Sequence, residues 1–413
     1  MRTKLISLLP YVALCFFAFS IWYLLFVKEN NKLPDPPATI SLSGTLLEEP
    51  YTKGQSQYFK FKRVTVAARI YPKYHYGDSL LIEGKLKEKA FLSYPKISIL
   101  ENQSLSPIAN FTKKLTNTRL RLEQKISGNF PEPQASLLSG IVLGSKRGLP
   151  ENFNDALRRT GTLHIVVVSG FNISLIAGLI VSLTKPMGRK LSFVLSIVGV
   201  LAYVLMVGAE APVRRAGIMG LIAILGSFVG RPRAVLLSLI VSSYIMLLLD
   251  PLIIFDIGFQ LTFLATFSII LLSPIILSFF KTTSGLTEAF ATSLSAQLLV
   301  WPVIAANFKQ VSFLSPLVNL FISPIIGGVT YGGILFLVLN SFSSLLSRLL
   351  SYILWVPLTY FVFMVERFSA FKFMSFNISG ISTLLVIIYY YFVGVFIYTF
   401  RRRIDKVRAK MAV

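Results

Sequence analysis

Cysteine and histidine are nearly absent from this sequence, which contains one cysteine, Cys15, and two histidines, His75 and His164. A single thiol cannot form an intrachain disulfide. Two histidines cannot build a His-rich two-metal hydrolase site, and no Cys-x-x-Cys pair replaces them. The phosphate-binding pattern Gly-x-x-x-x-Gly-Lys-[Ser/Thr] is also missing, so the chain has no recognisable ATP site of its own. We therefore expect no cofactor and no metal.

Charge is scarce and has mostly one sign. Charged residues make up 14% of the 413 residues and hydrophobic residues 54%, whereas an average soluble domain is about 25% charged. This composition predicts a polytopic membrane protein. Lys and Arg number 41 against 18 acids, which gives a net charge of +23. Such an excess suits contact with a polyanion or with anionic lipid, and basic loops on one side of a membrane also contribute to it.

Apolar runs long enough to cross a bilayer predict about ten transmembrane helices. The first is an uncleaved anchor within residues 1–30, and the others belong to a domain of residues 161–400. Their expected positions are 162–184, 190–208, 213–229, 234–249, 252–279, 287–307, 311–340, 344–364 and 378–400. The segments 252–279 and 311–340 are longer than one span needs, so either can be broken or re-entrant.

Basic residues cluster at one set of span ends, and this asymmetry predicts the orientation of the chain. The clusters lie at Arg2 and Lys4, residues 185–190, Arg231 and Arg233, Lys281, Arg348 and the basic tail 401–413. The positive-inside rule places these ends in the cytoplasm. We therefore expect a multi-pass protein of the inner (plasma) membrane with both termini cytoplasmic.

Residues 38–106 differ from the rest, because their hydropathy falls and the apolar period approaches two. This pattern predicts a small extracytoplasmic β-barrel, with strands at 40–47, 58–70, 79–85 and 96–100. Tyr58, Lys60 and Lys62 share one face of the second strand, opposite two phenylalanines. That face suits single-stranded nucleic acid, with Tyr58 stacking on a base. A solvated basic face over a phenylalanine core explains it equally well.

Residues 110–160 predict amphipathic helices that lie at the membrane interface and lead into the first span of the 161–400 domain. The expected polar face carries five cations: Lys113, Lys114, Arg119, Arg121 and Lys125. Pro150 fits the first position of a helix and Gly161 the position after its last turn.

Polar side chains interrupt the apolar segment 161–178, at His164, Ser169 and Asn172. Polar groups at membrane depth turn toward a bundle interior, a cavity or one another. We therefore interpret this helix as lining an internal path. A serine protease pair is disfavoured, because residues five apart on a helix point about 140° away from each other.

Arg214 and Arg215 stand where cations are disfavoured. Pro212 fits a helix start, and the first turn of a helix favours anions. The positive-inside rule also leaves this side of the membrane poor in cations. We interpret the pair as a cationic ring at an outer mouth that attracts phosphates. The alternative is that Glu210 pairs with Arg214 while Arg215 extends to the lipid headgroups.

Asp256 and Gln260 lie one helical turn apart in another apolar segment. An acid inside a membrane costs about 2.5–3.5 kcal/mol on insertion scales, so it should be paired or hydrated. We hypothesise that Asp256 pairs with Arg214 or Arg215 and holds the mouth in shape. A purely structural salt bridge is the alternative.

A further polar row is expected downstream, where Ser293 and Gln297 lie one turn apart and Asn319 follows a span boundary. These side chains either face an aqueous groove or form ordinary hydrogen bonds between helices, worth about 0.6–2 kcal/mol each.

Five stretches of the sequence form a recognisable set. They are His-x-x-x-x-Ser-Gly at 164–170, Leu-Leu-Ser-Gly-Ile-Val-Leu-Gly at 137–144, Gly-Ala-Glu-Ala-Pro-Val-Arg-Arg-Ala at 208–216, Asp-Pro-Leu-Ile-Ile-Phe-Asp-Ile-Gly-Phe-Gln-Leu-Thr-Phe at 250–263, and Ser-Ala-Gln-Leu-Leu-Val-Trp-Pro at 295–302 with Pro-Leu-Val-Asn-Leu at 316–320. Together they resemble the ComEC family of competence proteins, which are inner-membrane channels for incoming single-stranded DNA. Phe171-Asn172 departs from the Leu-His of many members. The chain also ends soon after its last apolar span, which indicates a short form without the metallo-β-lactamase-like domain of longer members.

The resemblance implies an oligonucleotide-binding (OB) fold for residues 38–106, where Tyr-Gly-Asp at 76–78 precedes Leu-Leu-Ile-Glu-Gly. It implies uptake of single-stranded DNA in natural transformation, with no catalysis in this chain. A separate DNA receptor, nuclease and cytoplasmic helicase-like motor would be the partners, besides membrane lipid. The expected DNA path comprises His164, Ser169, Asn172, Arg214, Arg215, Asp256, Gln260, Gln297 and Asn319. A secondary transporter of a small anion or lipid-linked sugar is the alternative, and a homodimer stays open.

Overall fold

The computed structural model describes residues 17, 19–23, 38–46, 50–53, 55–62, 64–75, 77–88, 91–100, 107–145, 148–166, 170–208, 211–230, 235–280, 284–371, 373–377 and 382–411. The chain divides into two compact units. The first contains Met1–Lys114 and Ile240–Phe255, and the second contains Leu115–Leu239 and Asp256–Val413. The proposed anchor within residues 1–30 lies almost wholly outside the described residues.

A seven-stranded sheet occupies residues 39–99. Its strands are β1 (Thr39–Thr45), β2 (Tyr51–Lys53), β3 (Ser56–Phe61), β4 (Val64–Arg69), β5 (Ser79–Glu88), β6 (Phe91–Ser93) and β7 (Lys96–Ile99). The strand order is β1-β5-β6-β4-β3-β2, and β7 also pairs with β5. Over the described residues this sheet is open, because β2 pairs with β3 alone and β1 with β5 alone. The predicted β-rich domain is therefore present, whereas closure into an OB barrel is not confirmed.

The predicted strand 58–70 is a hairpin of β3 and β4. Lys62 has a φ of 54° and turns the chain between them. Phe59 and Phe61 are buried on one face of β3 and Lys60 is exposed on the other, so the expected alternation is present. The hairpin packs its apolar face around Leu80 and Ile82 of β5.

Helices form most of the remaining structure. They are α1 (Pro107–Ser127), α2 (Gln134–Leu143), α3 (Glu151–Thr160), α4 (Leu163–Val166), α5 (Gly170–Thr184), α6 (Arg189–Val207), α7 (Ala211–Val229), α8 (Val235–Leu249), α9 (Ile257–Leu277), α10 (Gly285–Phe308), α11 (Ser315–Phe342), α12 (Ser344–Ser369) and α13 (Thr383–Met411). Two short strands, β8 (Gln310–Val311) and β9 (Phe376–Asn377), pair antiparallel. The basic residues from 401 to 411 continue the last helix.

Among the described helices, six are long and apolar enough to cross a membrane: α6, α7, α9, α10, α11 and α12. Further apolar helical segments of 10–17 residues lie at Gln134–Leu143, Asn172–Met187, Val235–Leu249 and Leu384–Phe400. The prediction of about ten spans is therefore not confirmed. At α5 the described helix ends at Thr184, as predicted, but begins at Gly170, so it is shorter than the expected span 162–184.

The two overlong segments differ in structure. A 3-10 turn at Pro251–Phe255 breaks the first, and α9 begins afresh at Ile257 with Asp256 as its N-cap. The second contains the continuous helix α11 although Pro324 lies inside it. Interruption is therefore present in the first segment and absent from the described helix of the second.

Residues 110–160 form three helices, and only part of this stretch is amphipathic. The middle helix, α2, is buried along its whole length. Its sequence Gln-Ala-Ser-Leu-Leu-Ser-Gly-Ile-Val-Leu contains no charge, so nothing holds one face toward water. Leu138 and Val142 pack against Gly333 of α11. α2 is therefore a core element, and the interfacial position predicted for residues 110–160 stays a prediction.

Candidate functional site

Arg215 lies in the first turns of α7 and is only 9% exposed. Its Nε donates to Thr262 Oγ1 at 2.7 Å, and its Nη1 donates to Met219 Sδ at 3.5 Å. The hydroxyl belongs to α9, so the guanidinium links the start of α7 to the neighbouring helix. A buried cation held by a neutral hydroxyl keeps its full positive charge available to an anion.

Arg214 is half-buried beside it. Its Nε atom is buried and has no hydrogen-bond partner among the described residues. Glu210, the alternative partner considered above, lies outside the described residues. The first turn of α7 therefore carries two adjacent cations, one fixed by Thr262 and one with an unused donor.

Asp256 lies close to this turn, at the start of α9. Its Oδ1 accepts a hydrogen bond from Phe259 N at 3.0 Å, which caps α9. Gly258 lies against Pro212, because a Cβ there would come within 3.8 Å of the proline Cδ. The expected ion pair of Asp256 with Arg214 or Arg215 is not found among the described residues. Arg215 bonds to Thr262 instead, one turn further along α9 than Gly258.

Gln260, which is half-buried, follows Asp256 by one turn on α9. The prediction that these two side chains accompany the arginine pair in space is consistent with the Arg215–Thr262 bond, which joins the same two helices.

The predicted polar row on α10 and α11, which we call the polar seam, forms two interhelical hydrogen bonds. Gln297 Nε2 donates to Ser315 Oγ at 2.7 Å, and Asn319 Nδ2 donates to Ser293 Oγ at 2.8 Å. Ser293 and Gln297 lie one turn apart on α10, and Ser315 and Asn319 lie one turn apart on α11. The two antiparallel helices are therefore joined at two levels. Trp301 Nε1 also donates to Gln297 Oε1 at 3.2 Å.

Asn319 differs from its neighbours in this row. It is 5% exposed, and its Oδ1 has no hydrogen-bond donor within the part of the chain that the structure describes. An amide oxygen without a donor is costly to bury, so it is the atom of this seam best suited to a polar ligand or an ordered water.

His164 joins this seam through the backbone of Gly161. The carbonyl oxygen of Gly161 lies 2.9 Å from His164 Nδ1 and accepts from Ser315 Oγ at 3.4 Å. Because Ser315 also receives the amide of Gln297, one run of polar groups connects α4, α11 and α10. His164 itself is exposed at the surface of the chain. Sequence reasoning missed Ser315, which is the residue that makes the connection.

Replacement of Gly161 by alanine should disturb this junction. Gly161 has a φ of +69°, and a Cβ there would lie 2.7 Å from Ser315 Oγ and 2.8 Å from its Cβ. Adding strain and a clash, the substitution should lower the free energy of unfolding by about 2 kcal/mol. Thermal unfolding of the purified protein in detergent measures this. Gly188→Ala is the matched control, since Gly188 also has a positive φ but no neighbour within 4 Å, and a loss equal to the control's would contradict the packing argument.

Asn172 is fully buried, and its Nδ2 donates to the carbonyl oxygen of Ile141 at 3.2 Å. The side chain therefore fastens α5 to α2 inside the helical core. Ser169, which precedes α5, lies outside the described residues. Of the polar residues predicted in segment 161–178, His164 is exposed and Asn172 is internal, so they do not share one surface.

Arg119 is a buried residue that sequence reasoning placed on a polar face. It is 2% exposed, and its Nε contacts Glu123 Oε1 at 3.0 Å. Its Nη1 donates to Val207 O at 2.8 Å and its Nη2 to Gly144 O at 3.0 Å. Val207 is the last residue of α6 and Gly144 follows the last residue of α2, and a cation is favoured by the helix dipole at such ends. The available signal was the acid four residues later, a spacing at which two side chains can pair on a helix.

On the sheet, the predicted nucleic-acid face is only partly assembled. Tyr58 is half-buried and Lys60 is exposed on β3, whereas Lys62 lies in the turn after the strand. The side chain of Lys62 lies against Gly44 of β1. The three residues therefore stay a predicted binding face, with Lys62 outside the strand that was expected to carry it.

Metal ligands do not cluster in the described ranges, where no group of three or more His, Cys, Asp or Glu is placed to hold an ion. The long apolar helices, the internal polar seam and the buried arginines together define this chain as a helical membrane protein with polar contacts between its helices.

Residues 141–403, more than half of the chain, match the family described as Competence protein, and the chain belongs to that family. This confirms the resemblance to ComEC proteins. The chain is 28% identical to ComE operon protein 3 of Bacillus subtilis (strain 168) over 230 residues, which is 55% of this chain and 29% of that protein. It is 31% identical over 192 residues to an uncharacterized protein of Aquifex aeolicus (strain VF5), covering 46% of this chain and 44% of that one. The chain thus spans less than half the length of either relative. No solved structure matches it significantly.

Proposed function

We propose that this chain is an inner-membrane channel that conducts single-stranded DNA into the cytoplasm during natural transformation. Membership of the Competence protein family supports a role in DNA uptake. The polar seam and the arginine pair support conduction of a polar, anionic substance through an apolar bundle.

The observation that carries the proposal is the arginine pair at the start of α7. Arg215 is buried against a neutral hydroxyl, and Arg214 has a buried donor that no described residue accepts from. Placing two cations at the positive end of a helix dipole is unfavourable unless an anion visits the site. A phosphodiester backbone supplies one negative charge per nucleotide, so it satisfies the site repeatedly as it moves.

The remaining path residues fit the same function. Gln260 on α9, Gln297 on α10, Asn319 on α11 and the exposed His164 offer neutral polar groups, which suit a backbone that must bind weakly enough to leave. Asp256 would shape the mouth by capping α9. Asn172 and Arg119 would act on the path only indirectly, because both are buried in helix contacts.

The energy for inward movement would come from elsewhere. Moving a phosphate inward against an inside-negative potential costs about 2.3 kcal/mol per charge per 100 mV. Since the sequence has no phosphate-binding loop of the P-loop type, we propose that a separate cytoplasmic helicase-like motor pulls the strand. A separate DNA receptor and nuclease would deliver it, the termini would lie in the cytoplasm, and the β domain outside would present Tyr58, Lys60 and Lys62 to the strand.

A secondary transporter of a small anion or lipid-linked sugar is the second candidate. The break at Pro251–Phe255 favours it, because transporter sites are often formed by discontinuous helices whose N-termini point at an anion. What separates the two is whether a polymer is the substrate.

The test is uptake of labelled DNA by cells whose only copy carries Arg214→Ala, with the amount of protein in the membrane measured in parallel. We expect uptake to fall about tenfold at normal abundance, since the focusing of an anion by a partly buried cation is lost. Arg214→Lys should recover part of it.

Arg158→Ala is the matched control, because Arg158 is an exposed arginine of α3 outside the site. Equal losses in the two variants would indicate general attraction of DNA to a basic protein. Normal uptake by the Arg214→Ala protein would contradict the proposal that the mouth attracts DNA, and it would favour the transporter.

A further inference from the structure

A groove of about 390 Å³ lies between the turn that follows α1 and the N-terminal half of α12, away from the arginine pair. Residues 128–131 form one wall, and Arg348, Ser351, Tyr352 and Trp355 form the other. Among the described residues, no carboxylate lines it. The groove is open to the surroundings on the side where Tyr352 and Trp355 are 68% and 44% exposed.

Three hydrogen-bond donors of this wall have no acceptor in the described part of the protein: the guanidinium of Arg348, the hydroxyl of Tyr352 and the indole N–H of Trp355. By contrast, Ser351 Oγ donates to the carbonyl oxygen of Arg348 at 2.7 Å and is already satisfied. A wall with several unused donors, one of them charged, and no acid is complementary to an anion.

A second cation, Lys125, lies in the last turn of α1, just before the first wall of the groove. Asn129 Nδ2 donates to the carbonyl oxygen of Lys125 at 2.8 Å, which places Lys125 in the turn just before the first wall. Lys125 Nζ donates to Ser341 Oγ at 3.2 Å, at the end of α11 next to the start of α12. The Lys125 ammonium therefore bonds to the end of α11, which immediately precedes the helix that carries Arg348.

The surface that continues from the groove is apolar. Leu349, Ile353 and Val356 of α12 are 55%, 67% and 62% exposed and follow one another at helical spacing beside Tyr352. Such a stripe on a membrane protein faces acyl chains. Trp and Tyr next to it are typical of the level of the lipid headgroups.

We propose that this groove binds an anionic phospholipid. The phosphate lies beside Arg348 and accepts from the Tyr352 hydroxyl and the Trp355 N–H, and the acyl chains follow the apolar stripe of α12. An aliphatic stripe directly beside the donors favours a lipid over a nucleic-acid strand, whose sugars and phosphates would leave that stripe unused. This site is separate from the proposed DNA path and does not depend on it.

The test is binding of dioctanoyl phosphatidylglycerol to the full-length protein in neutral detergent, measured by native mass spectrometry and by thermal shift. We expect saturable binding that weakens about tenfold with Arg348→Gln, the loss expected for one charge-assisted contact. Tyr352→Phe, which removes only a hydroxyl, should weaken binding less. Arg367→Gln is the matched control at the other end of α12, where the guanidinium stacks over Phe363, and it should bind like the parent.

The other arms identify the ligand. Dioctanoyl phosphatidylcholine should bind more weakly than phosphatidylglycerol, and inorganic phosphate should neither bind comparably nor compete. Competition by a poly-dT strand, equal binding of phosphate alone, or equal binding by the Arg348→Gln protein would each overturn the proposal.

Discussion

Replacing Arg119 with alanine should lower the free energy of unfolding by about 3–5 kcal/mol, the range for removing one partner of a buried ion pair. The substitution removes the donor of three acceptors at once, since Arg119 contacts Glu123 and the carbonyl oxygens of Val207 and Gly144. Glu123 would be left with its charge and the two helix ends with unsatisfied carbonyls. Thermal or denaturant unfolding of the purified protein in detergent measures the loss.

Arg121→Ala is the control for this prediction, because Arg121 lies two residues away on the same helix, is exposed and carries the same charge. Its loss should be within about 0.5 kcal/mol of zero. Arg119→Lys should restore little, since one ammonium cannot reach three acceptors in the planar arrangement that a guanidinium offers. Equal stability of the Arg119→Ala and Arg121→Ala proteins would contradict the assignment.

Arg119 also shows why the sequence alone was insufficient. Five cations on one predicted face are indistinguishable until the position of α2 and α6 is known, because the acceptors of Arg119 are backbone carbonyls from those helices. The types of side chain in a sequence do not show where a backbone carbonyl lies in the fold. The acid at position 123 was the available clue, and it could not reveal that the pair is buried.

The α10–α11 seam illustrates what sequence does predict well. The one-turn spacing of Ser293 and Gln297 placed both on one helix face, and the structure joins that face to Asn319 and Ser315. Polar residues in an apolar helix are few and need partners, so their spacing carries much information. The sequences of the short apolar helices carry less information about their surroundings. α2 is as apolar as a membrane span, but it is only ten residues long and is covered by its neighbours.

The position of Arg119 connects stability to the proposed mouth. Val207, whose carbonyl Arg119 holds, is the last residue of α6, and α7 begins at Ala211. Arg119 thus holds the end of α6, and the Thr262 bond of Arg215 holds the first turns of α7. Contacts of this kind fix a charge in place before its ligand arrives, which is what a preorganised charge requires.

Arg215→Ala should therefore affect DNA uptake more than Arg214→Ala, with a fall of about a hundredfold per protein in the membrane. The buried guanidinium acts in a medium of low dielectric, where its field on a passing phosphate is stronger than that of a hydrated cation. Thr262→Val keeps the charge and the shape but removes the acceptor. It should lower uptake to an intermediate level, because Arg215 is then no longer held in place.

Met219→Leu is the matched control for Thr262→Val, since Met219 is the other contact of the guanidinium and its sulfur is a weak acceptor at 3.5 Å. Uptake by the Met219→Leu protein should equal that of the parent. If Arg215→Ala lowered only the amount of protein in the membrane, with normal uptake per molecule, Arg215 would be a structural arginine like Arg119 and the mouth would be left to Arg214.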